Sequence, residues 1–420
     1  MSGLFAHRIG FSRILPSDIE IHPSSNYSIP IGVKLLPEYF RDQGYETHGA
    51  GKWNIGHCND AYLPMARGFD SFVGYFSGGI NYVTHLTKDG HVDLFAATES
   101  LFERVTDLRF SDEIFEERAL SVIEEAVRPL FLWVAFQCPH DNEGFIKMSP
   151  RDAFEEGVRL TDARVGAVVD AVKKKKVRRR GDYLVVVHSD NGAYPCGVNL
   201  AGTSYPLRGC KFNYFQGGIR VPAIVAGSAL PASARGTEYP NLAHHVDWLA
   251  TLLAVAGGTL DDDDETSSVN HWPFLQNEIL NINRRALLYV GLGDTYAVAI
   301  RDDGIKLLHG VYNNSDYYDP DINYSGEQSC IGSAPPLLLR PTWLFNLTTD
   351  PLERDNLATN PEYAPLVDAV LRLAMDENRR NSYKPLLHFG EEPLSALAPV
   401  FQRSANFVGP FNCSLNYYLH

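Results

Sequence analysis

The most informative stretch of this sequence is a short apolar run near the middle of the chain that ends in polar residues. Residues 184–187 are apolar and rich in valine, and the polar cluster His-Ser-Asp-Asn-Gly follows at once. A run of that length between turn residues predicts a buried strand of a parallel sheet. Ligands bind beyond the carboxyl ends of such strands. Asp190 and Asn191 are therefore candidate ligands for a hard cation such as calcium, which favours carboxylate and amide oxygens.

Two basic residues, Arg208 and Lys211, follow in a glycine-containing loop. Positive side chains close to the oxygen ligands of a cation are suited to neutralising an anion. Together with Asp190 and Asn191, they predict a binding site for an anionic oxyester.

Composition limits the classes of protein that fit. The chain has 420 residues and a net charge of −14, with 37 basic against 51 acidic residues. Its length predicts two domains, and its acidity argues against nucleic acid as a partner. No apolar run reaches the roughly 18–20 residues of a membrane-spanning helix, so no membrane span is expected.

Two features bear on the route that the protein takes through the cell. The first residues do not have the pattern of a signal peptide, yet the sequence contains glycosylation sequons, which matter only in the secretory pathway. They lie at Asn26, Asn313, Asn323, Asn346 and Asn412. This contrast leads us to expect that the recorded chain starts late. The six cysteines lack zinc-type spacing, and one or two disulfides remain open.

The pattern of elements predicts a layered α/β fold. Helices are expected near 33–42, 111–127, 152–176 and 242–256, and strands at 45–48, 130–136, 184–187 and 221–226. Such alternation favours a mainly parallel sheet between helices. Beyond residue 285, short apolar runs separated by turns predict an antiparallel sheet. We therefore assign 1–285 to a large α/β domain and 286–420 to a small C-terminal domain with a surface tail.

Three polar clusters follow predicted strands. They contain Lys52, His140 and the pair Asp190–Asn191. Alone, each has an ordinary explanation: a surface lysine, a loop histidine or an Asp-Asn-Gly turn. Together they are expected at the same edge of one sheet, which is where ligands bind in α/β folds.

Longer motifs carry a resemblance to a known family. They are GKWNIGH and YLPMARGFDSFVGYFSGGINYVTH within 51–85, FLWVAFQCPH at 131–140, VVVHSDNG at 185–192, YPLRGCKFNYFQGGIRVPAIVAGSAL at 205–230, VDWLATLLAVAGG at 246–258 and LFNLTTDPLERDNLA at 344–358. In order and spacing, the chain resembles the type I sulfatases, and among them arylsulfatase B (N-acetylgalactosamine-4-sulfatase) and its relatives.

The resemblance implies an alkaline-phosphatase-like fold, with a large mixed sheet between helices and a small C-terminal antiparallel sheet domain. It also implies hydrolysis of sulfate esters, with aryl sulfates or glycosaminoglycans as substrates. In the family, a formylglycine made from the cysteine of Cys-x-Pro-Ser-Arg attacks sulfur, and calcium holds the sulfate oxygens. Lysines neutralise the charge, and a histidine protonates the leaving alcohol.

Matched residue by residue, the resemblance assigns Asp190 and Asn191 as metal ligands. It assigns Lys52, His140 and Lys211 both catalytic and substrate-binding roles. Arg208 receives no catalytic role. The implied partner is a sulfated small molecule or glycan, and a full-length product is expected to be lysosomal or secreted.

Two departures from the family are visible. Asn54 stands where the family's Gly-Lys-Trp-His motif has a histidine, and asparagine cannot exchange a proton near neutral pH. The upstream Asp-Asp strand and Cys-x-Pro-Ser-Arg are absent from these 420 residues. Half of the calcium ligand set is therefore present, and this chain alone is predicted to be inactive. A non-catalytic relative that binds a sulfated glycan or a protein is the alternative, and a two-metal phosphoesterase is a weaker one.

Overall fold

A mixed sheet of five strands forms the centre of the N-terminal part. The computed structural model describes residues 1–9, 28–141, 144–145, 147–179, 181–195, 202–261, 266–278, 282, 284, 286–289, 291–292, 295–301, 303–310, 317 and 341–380. The strands are β1 (Glu46–Lys52), β2 (Ser71–Tyr75), β3 (Phe95–Thr98), β4 (Leu101–Arg104) and β5 (Leu130–Ala135), in the order β4-β3-β2-β1-β5. β1 is parallel to β2 and β5, whereas β3 and β4 continue the sheet in antiparallel fashion.

The helices of the described residues are α1 (Leu36–Asp42), α2 (Ser111–Glu125), α3 (Pro150–Arg179), α4 (Gln216–Ile219), α5 (Trp248–Val255), α6 (Trp272–Leu275) and α7 (Ala364–Arg380). Among them, α1 and α5 pack on one face of the five-stranded sheet and α2 packs on the other. On one face, Phe40 of α1 and Leu253 of α5 join an aromatic core with Phe72 and Phe131 of the strands. On the other face, Phe115 of α2 packs in a cluster with other buried residues of the sheet. Burial of these apolar stripes is the main stabilising contribution of each helix.

The chain's most informative strand differs from its prediction. β6 (Leu184–His188) pairs antiparallel with β7 (Ala223–Gly227) in a two-stranded sheet, and it is half-buried along its whole length. The prediction of a buried strand in a parallel sheet was therefore wrong within the described residues. A short apolar run identifies a strand, but it does not specify the partner or the direction of pairing.

The C-terminal region forms a second, antiparallel sheet. Its strands are β8 (Ala286–Leu288), β9 (Gly291–Leu292), β10 (Thr295–Arg301), β11 (Ile305–His309) and β12 (Thr342–Asn346), in the order β12-β11-β10-β8, with β9 beside β10. Val370 and Ala374 of α7 pack on one face, and Phe215 from the N-terminal part packs with Phe345 on the other. This confirms the predicted class, a large mixed sheet with helices and a small antiparallel one. The boundary at residue 285 stays a prediction.

No helix in these described ranges combines the length and the apolar character that a bilayer span requires.

Candidate active site

Lys52 lies at the carboxyl end of β1, beside Tyr75 of β2. The strand comes very close to β5 here, because a Cβ on Gly51 would overlap the carbonyl oxygen of Ala135, and Gly51 has φ +98°. Only glycine fits this position without strain. After the strand, the Trp53 indole donates to the Gly56 carbonyl at 2.8 Å. This bond fixes the turn that presents Lys52.

His140 follows β5 in a turn held by a buried carboxylate. Asp112 accepts the backbone N–H groups of Gln137 at 2.8 Å and Cys138 at 2.9 Å. Nδ1 of His140 lies 3.1 Å from Oδ2 of Asp141, and its side chain is 37% exposed. Since β1 and β5 are adjacent and parallel, their carboxyl ends, which precede Lys52 and His140, lie at the same edge of the sheet.

The end of β2 is built in the same way. Buried Asp93 accepts the N–H groups of Phe76 at 2.8 Å and Ser77 at 2.9 Å. The turn that follows passes under the histidine, because a Cβ on Gly79 would lie 3.5 Å from Cε1 of His140. The turns after β2 and β5 therefore meet at this imidazole, and β1 lies between those two strands in the sheet.

Asp190 and Asn191 follow β6, outside the five-stranded sheet. Asp190 is exposed and Asn191 is half-buried. The prediction that they share one sheet edge with Lys52 and His140 was therefore wrong, because β6 belongs to a separate two-stranded sheet. A link to the sheet nevertheless exists at buried Tyr75, the strand neighbour of Lys52. Burial raises the pKa of this phenol well above its usual value, and Asp112, Asp93, Asp190 and Asp141 raise it further. The field of Asp190 therefore reaches the end of β2.

Backbone hydrogen bonds tie the loop of Lys211 to the turn of Asp190 and Asn191. The Lys211 N–H donates to the Ala193 carbonyl at 2.8 Å, and the Gly192 N–H donates to Gly218 at 3.0 Å. A Cβ on Gly192 would overlap the carbonyl oxygen of Gly217, so only glycine permits this approach. The structure thus brings the backbone of Lys211 beside the Asp190–Asn191 turn, and the anion site itself stays a prediction.

The same loop is anchored on the C-terminal sheet. The guanidinium of Arg208 lies 4.6 Å from the ring centroids of both Phe215 and Trp343. It also donates to the Glu353 carbonyl at 2.9 Å. These contacts give Arg208 a structural role in holding the loop.

Glu353 completes this anchor through its side chain. Its carboxylate accepts the Gln216 N–H at 2.6 Å and pairs with Nζ of Lys306 at 2.5 Å. Both side chains of the ion pair are 0% exposed. Burial lowers the pKa of Lys306, while Glu353 opposes that shift. The cost of burying this charge is offset only while the partner is present.

The described cysteines do not supply a nucleophile. Cys138 and Cys210 are reduced and buried. Burial, together with Asp112, raises the pKa of the Cys138 thiol above its usual value. A neutral thiol is a poor nucleophile. Cys58 is disulfide-bonded and therefore also not free to react.

Asp190 and Asn191 provide part of a ligand set for calcium. Asp190 and Asn191 offer the right kinds of oxygen, but calcium takes six to eight such ligands. Within the part of the chain that is described, no group of three or more His, Cys, Asp or Glu side chains could hold a metal. The residues fit calcium in type, and they supply only part of its coordination.

Asn346 is the one predicted glycosylation residue inside the described ranges. It ends β12, and its side-chain oxygen accepts the Thr348 N–H at 3.0 Å. Asn26, Asn313, Asn323 and Asn412 lie outside the described residues. Glycosylation at all five remains a prediction.

Sequence reasoning missed the residues that support the site. Asp93 and Asp112 lie outside the quoted motifs and are recognised only by the amide groups whose hydrogen bonds they accept. Asp141 could have been found, since it directly follows His140. Glu353 lies in a motif that resembles the family, but nothing in that motif indicates its partner Lys306.

Comparison with known proteins identifies the family. A family model described as "Sulfatase" matches residues 1–258. Mouse arylsulfatase J is 27% identical over 402 residues, covering 86% of this chain and 64% of that protein. Bovine arylsulfatase A is 27% identical over 383 residues, covering 84% and 73%. The chain thus spans less than two thirds of the length of arylsulfatase J.

A solved structure gives the same fold. The crystal structure of Ps i-CgsB in complex with k-i-k-neocarrahexaose has a TM-score of 0.69 at 21% identity, covering 97% of this chain and 86% of that one. The chain belongs to the sulfatase family. The relatives named here are arylsulfatases J and A, so a particular similarity to arylsulfatase B stays an expectation. The matched segment contains Lys52, His140, Asp190, Asn191 and Lys211.

Proposed function

We propose that this protein hydrolyses sulfate esters at the site formed by Lys52, His140 and Lys211. The observation that carries the proposal is the meeting of Lys52 and His140 at the carboxyl ends of adjacent parallel strands. Membership of the sulfatase family supports the choice of sulfate over other anions.

The side chains of these residues suit distinct roles in this reaction. Lys52 and Lys211 bind the sulfate oxygens, whose charge grows in the transition state. His140 donates a proton to the departing alcohol oxygen. Asp141 lies 3.1 Å from Nδ1 of His140 and accepts its N–H, which leaves Nε2 as the ring nitrogen for the substrate. In the protonated imidazole, Nε2 carries the proton that passes to the leaving oxygen, and the ring becomes neutral.

Calcium is the metal that we propose for Asp190 and Asn191. When bound, it would withdraw charge from sulfate oxygens as a Lewis acid. The nucleophile expected in the family is a formylglycine, and Cys-x-Pro-Ser-Arg does not occur in these 420 residues. The proposal for this chain therefore covers binding of the anion and protonation of the leaving group.

The substrate class that we propose is a sulfated glycan or a sulfated small molecule. The presence of an oligosaccharide in the complex of Ps i-CgsB, which shares this fold, supports a glycan. We also propose a lysosomal or secreted location, because the sequence contains glycosylation sequons and resembles the sulfatases.

Asn54 favours the second candidate, binding of a sulfated glycan without turnover. Its side-chain oxygen is buried and has no hydrogen-bond partner among the described residues. Asparagine can orient a ligand, but it cannot accept and return a proton. This substitution is the specific observation that separates the two candidates.

The test combines affinity and turnover. Binding of an aryl sulfate is measured by calorimetry on the purified chain, and sulfate release is measured on the protein isolated from its native source. Lys52→Ala and Lys211→Ala should weaken binding, and His140→Ala should lower turnover about 10²- to 10⁴-fold, the usual contribution of general acid catalysis.

Lys34→Ala is the matched control, because Lys34 forms a surface ion pair with Asp42. Binding that depends on Lys52 and Lys211 without any sulfate release would select the non-catalytic candidate. Binding that neither lysine affects would show that both candidates are wrong.

A further inference from the structure

An exposed aromatic ring lies next to the proposed sulfate site. Phe212 directly follows Lys211 and is 38% exposed. Nζ of Lys211 lies 5.2 Å from the centroid of the Phe212 ring. Tyr194 packs edge-on against this ring, with centroids 5.4 Å apart and planes at 83°. The two rings and the ammonium group therefore form one continuous surface.

The backbone at Phe212 is in an unfavourable conformation. Its φ is +78°, a region where a bulky side chain is a clear outlier. Such residues persist where the surrounding structure enforces them, and they concentrate at functional sites. Burial does not explain this phenylalanine, because more than a third of it faces solvent. Glycine would relieve the strain, so the ring itself is the feature that needs an explanation.

Hydrogen bonds hold the backbone on both sides of Phe212. The Lys211 N–H is bonded to Ala193, and the Asn213 N–H donates to the Cys210 carbonyl at 3.2 Å. The side chain of Asn213 accepts the Phe215 N–H at 3.2 Å. Phe212 is thus flanked on both sides by fixed residues, which pre-organises its ring relative to Lys211.

We propose that Phe212 and Tyr194 form a stacking subsite for the six-membered ring of a sulfate ester whose sulfate group is bound by Lys211. The face of an aromatic ring is electron-rich and attracts the positive edge of another ring or the C–H groups of a pyranose. This inference rests on the proposed function and names the part of the substrate that the site recognises. It applies to aryl and pyranose rings alike.

Equilibrium binding on the purified chain tests the proposal without turnover. The probes are phenyl sulfate, a methyl pyranoside sulfate, methyl sulfate and inorganic sulfate. We expect the ring-bearing esters to bind the unmodified chain about 2- to 12-fold more tightly than methyl sulfate. A preference confined to one of the two ring types identifies the source of the ring and supports the subsite.

Substitutions at Phe212 separate the ring from the backbone. Phe212→Ala and Phe212→Gly should both remove the preference, although glycine relieves the strained φ, and Phe212→Trp should retain it. Phe102→Ala is the matched control, because Phe102 is also exposed, at 48%, and lies on β4. It should leave every affinity unchanged, and thermal unfolding confirms that each variant is folded.

Two results would overturn the subsite in distinguishable ways. If all four anions bind in a manner that depends on Lys211, but Phe212→Ala keeps the preference for rings, the subsite alone is wrong. If Lys52→Ala affects binding but Lys211→Ala changes the affinity for none of the four anions, the subsite alone is wrong. If neither lysine affects any of them, the proposed function and the subsite fail together.

Discussion

In both halves of the candidate site, buried carboxylates accept backbone N–H groups, but the sequence separation between carboxylate and amide differs greatly between the halves. In the strand half, which presents Lys52 and His140, Asp93 and Asp112 accept amides 16 to 26 residues away. In the loop half, which presents Lys211, Glu353 accepts an amide 137 residues away. Both halves therefore depend on a buried carboxylate, but only the loop half requires the C-terminal sheet.

This difference indicates how each half can be disturbed. In the strand half, Lys52, His140 and the carboxylates that hold their turns all lie within 46–141. The loop half forms only when residues near 208–218 dock on β11 and the turn at Glu353. Contacts of large sequence separation cost more loop-closure entropy, so the loop half should be the easier one to loosen without affecting the other.

The largest effect is expected from Glu353→Gln. This change leaves the Lys306 ammonium buried without its carboxylate, and removing one partner of a buried ion pair costs about 3–5 kcal/mol. Chemical denaturation should show that loss in the free energy of unfolding. Hydrogen exchange should accelerate at the amides of Lys211 and Gln216, while those of Gln137 and Cys138 stay protected.

The double variant Glu353→Gln with Lys306→Met is the control for this prediction. It removes the stranded charge, and we expect it to recover most of the lost stability, since apolar replacements of buried ion pairs are often neutral. Equal losses in the single and double variants would mean that the ion pair is not the source of the effect.

A smaller effect in the opposite half is expected from Asp112→Asn. The amide can accept one of the two backbone N–H groups, while its own NH₂ opposes the other, so one buried donor loses its partner. The expected cost is about 1–3 kcal/mol. Exchange should now accelerate at Gln137 and Cys138 and remain unchanged at Lys211. Asp107→Asn, at an exposed ion pair with Arg109, is the control and should leave stability nearly unchanged. Exchange that accelerates in both halves would contradict their independence.

The last prediction concerns the pH dependence of the free energy of unfolding and the segment formed by His244 and His245. Burial lowers the pKa of His244 to about 3, with His245, Arg284 and His7 adding to the shift. Its Nδ1 accepts the Val246 N–H at 3.2 Å, a bond that protonation would break. The neighbouring His245 contacts the Ser189 carbonyl, directly before Asp190, at 3.1 Å. The segment is therefore linked to the site.

The sign of the pH dependence follows from this low pKa. The unfolded chain binds a proton at His244 near pH 6.5, but the folded chain does not until about pH 3, so stability falls as the pH drops through this window. His244→Asn keeps an oxygen that can accept the Val246 N–H and removes the titration. When the pH falls from 7 to 5, the free energy of unfolding of this variant should drop by about 2 kcal/mol less than that of the unmodified chain. The measurement is urea denaturation at each pH. If the free energies of unfolding of the two proteins fall in parallel with pH, His244 is not the group responsible.

The predictions from sequence succeeded where the signal was local. Helix α2 and strand β5 lie within two residues of their predicted ends, because amphipathic spacing and an apolar run after proline are contained in one short segment. Predictions failed where pairing decides the outcome. β1 extends to Lys52, beyond the predicted end at residue 48, and the strands β2, β3 and β4 were not predicted.

Residue patterns alone were enough to recognise the motifs that resemble the family, to predict the fold class and to propose Lys52, His140, Asp190, Asn191 and Lys211 as site residues. They were enough because residue types and their spacing are local properties. Three features became visible only in the folded chain: β6 pairs with β7, Asp93 and Asp112 hold the strand ends, and Lys306 and Glu353 anchor the Lys211 loop. Buried carboxylates find their partners through three-dimensional packing and desolvation, and no spacing along the chain records that choice.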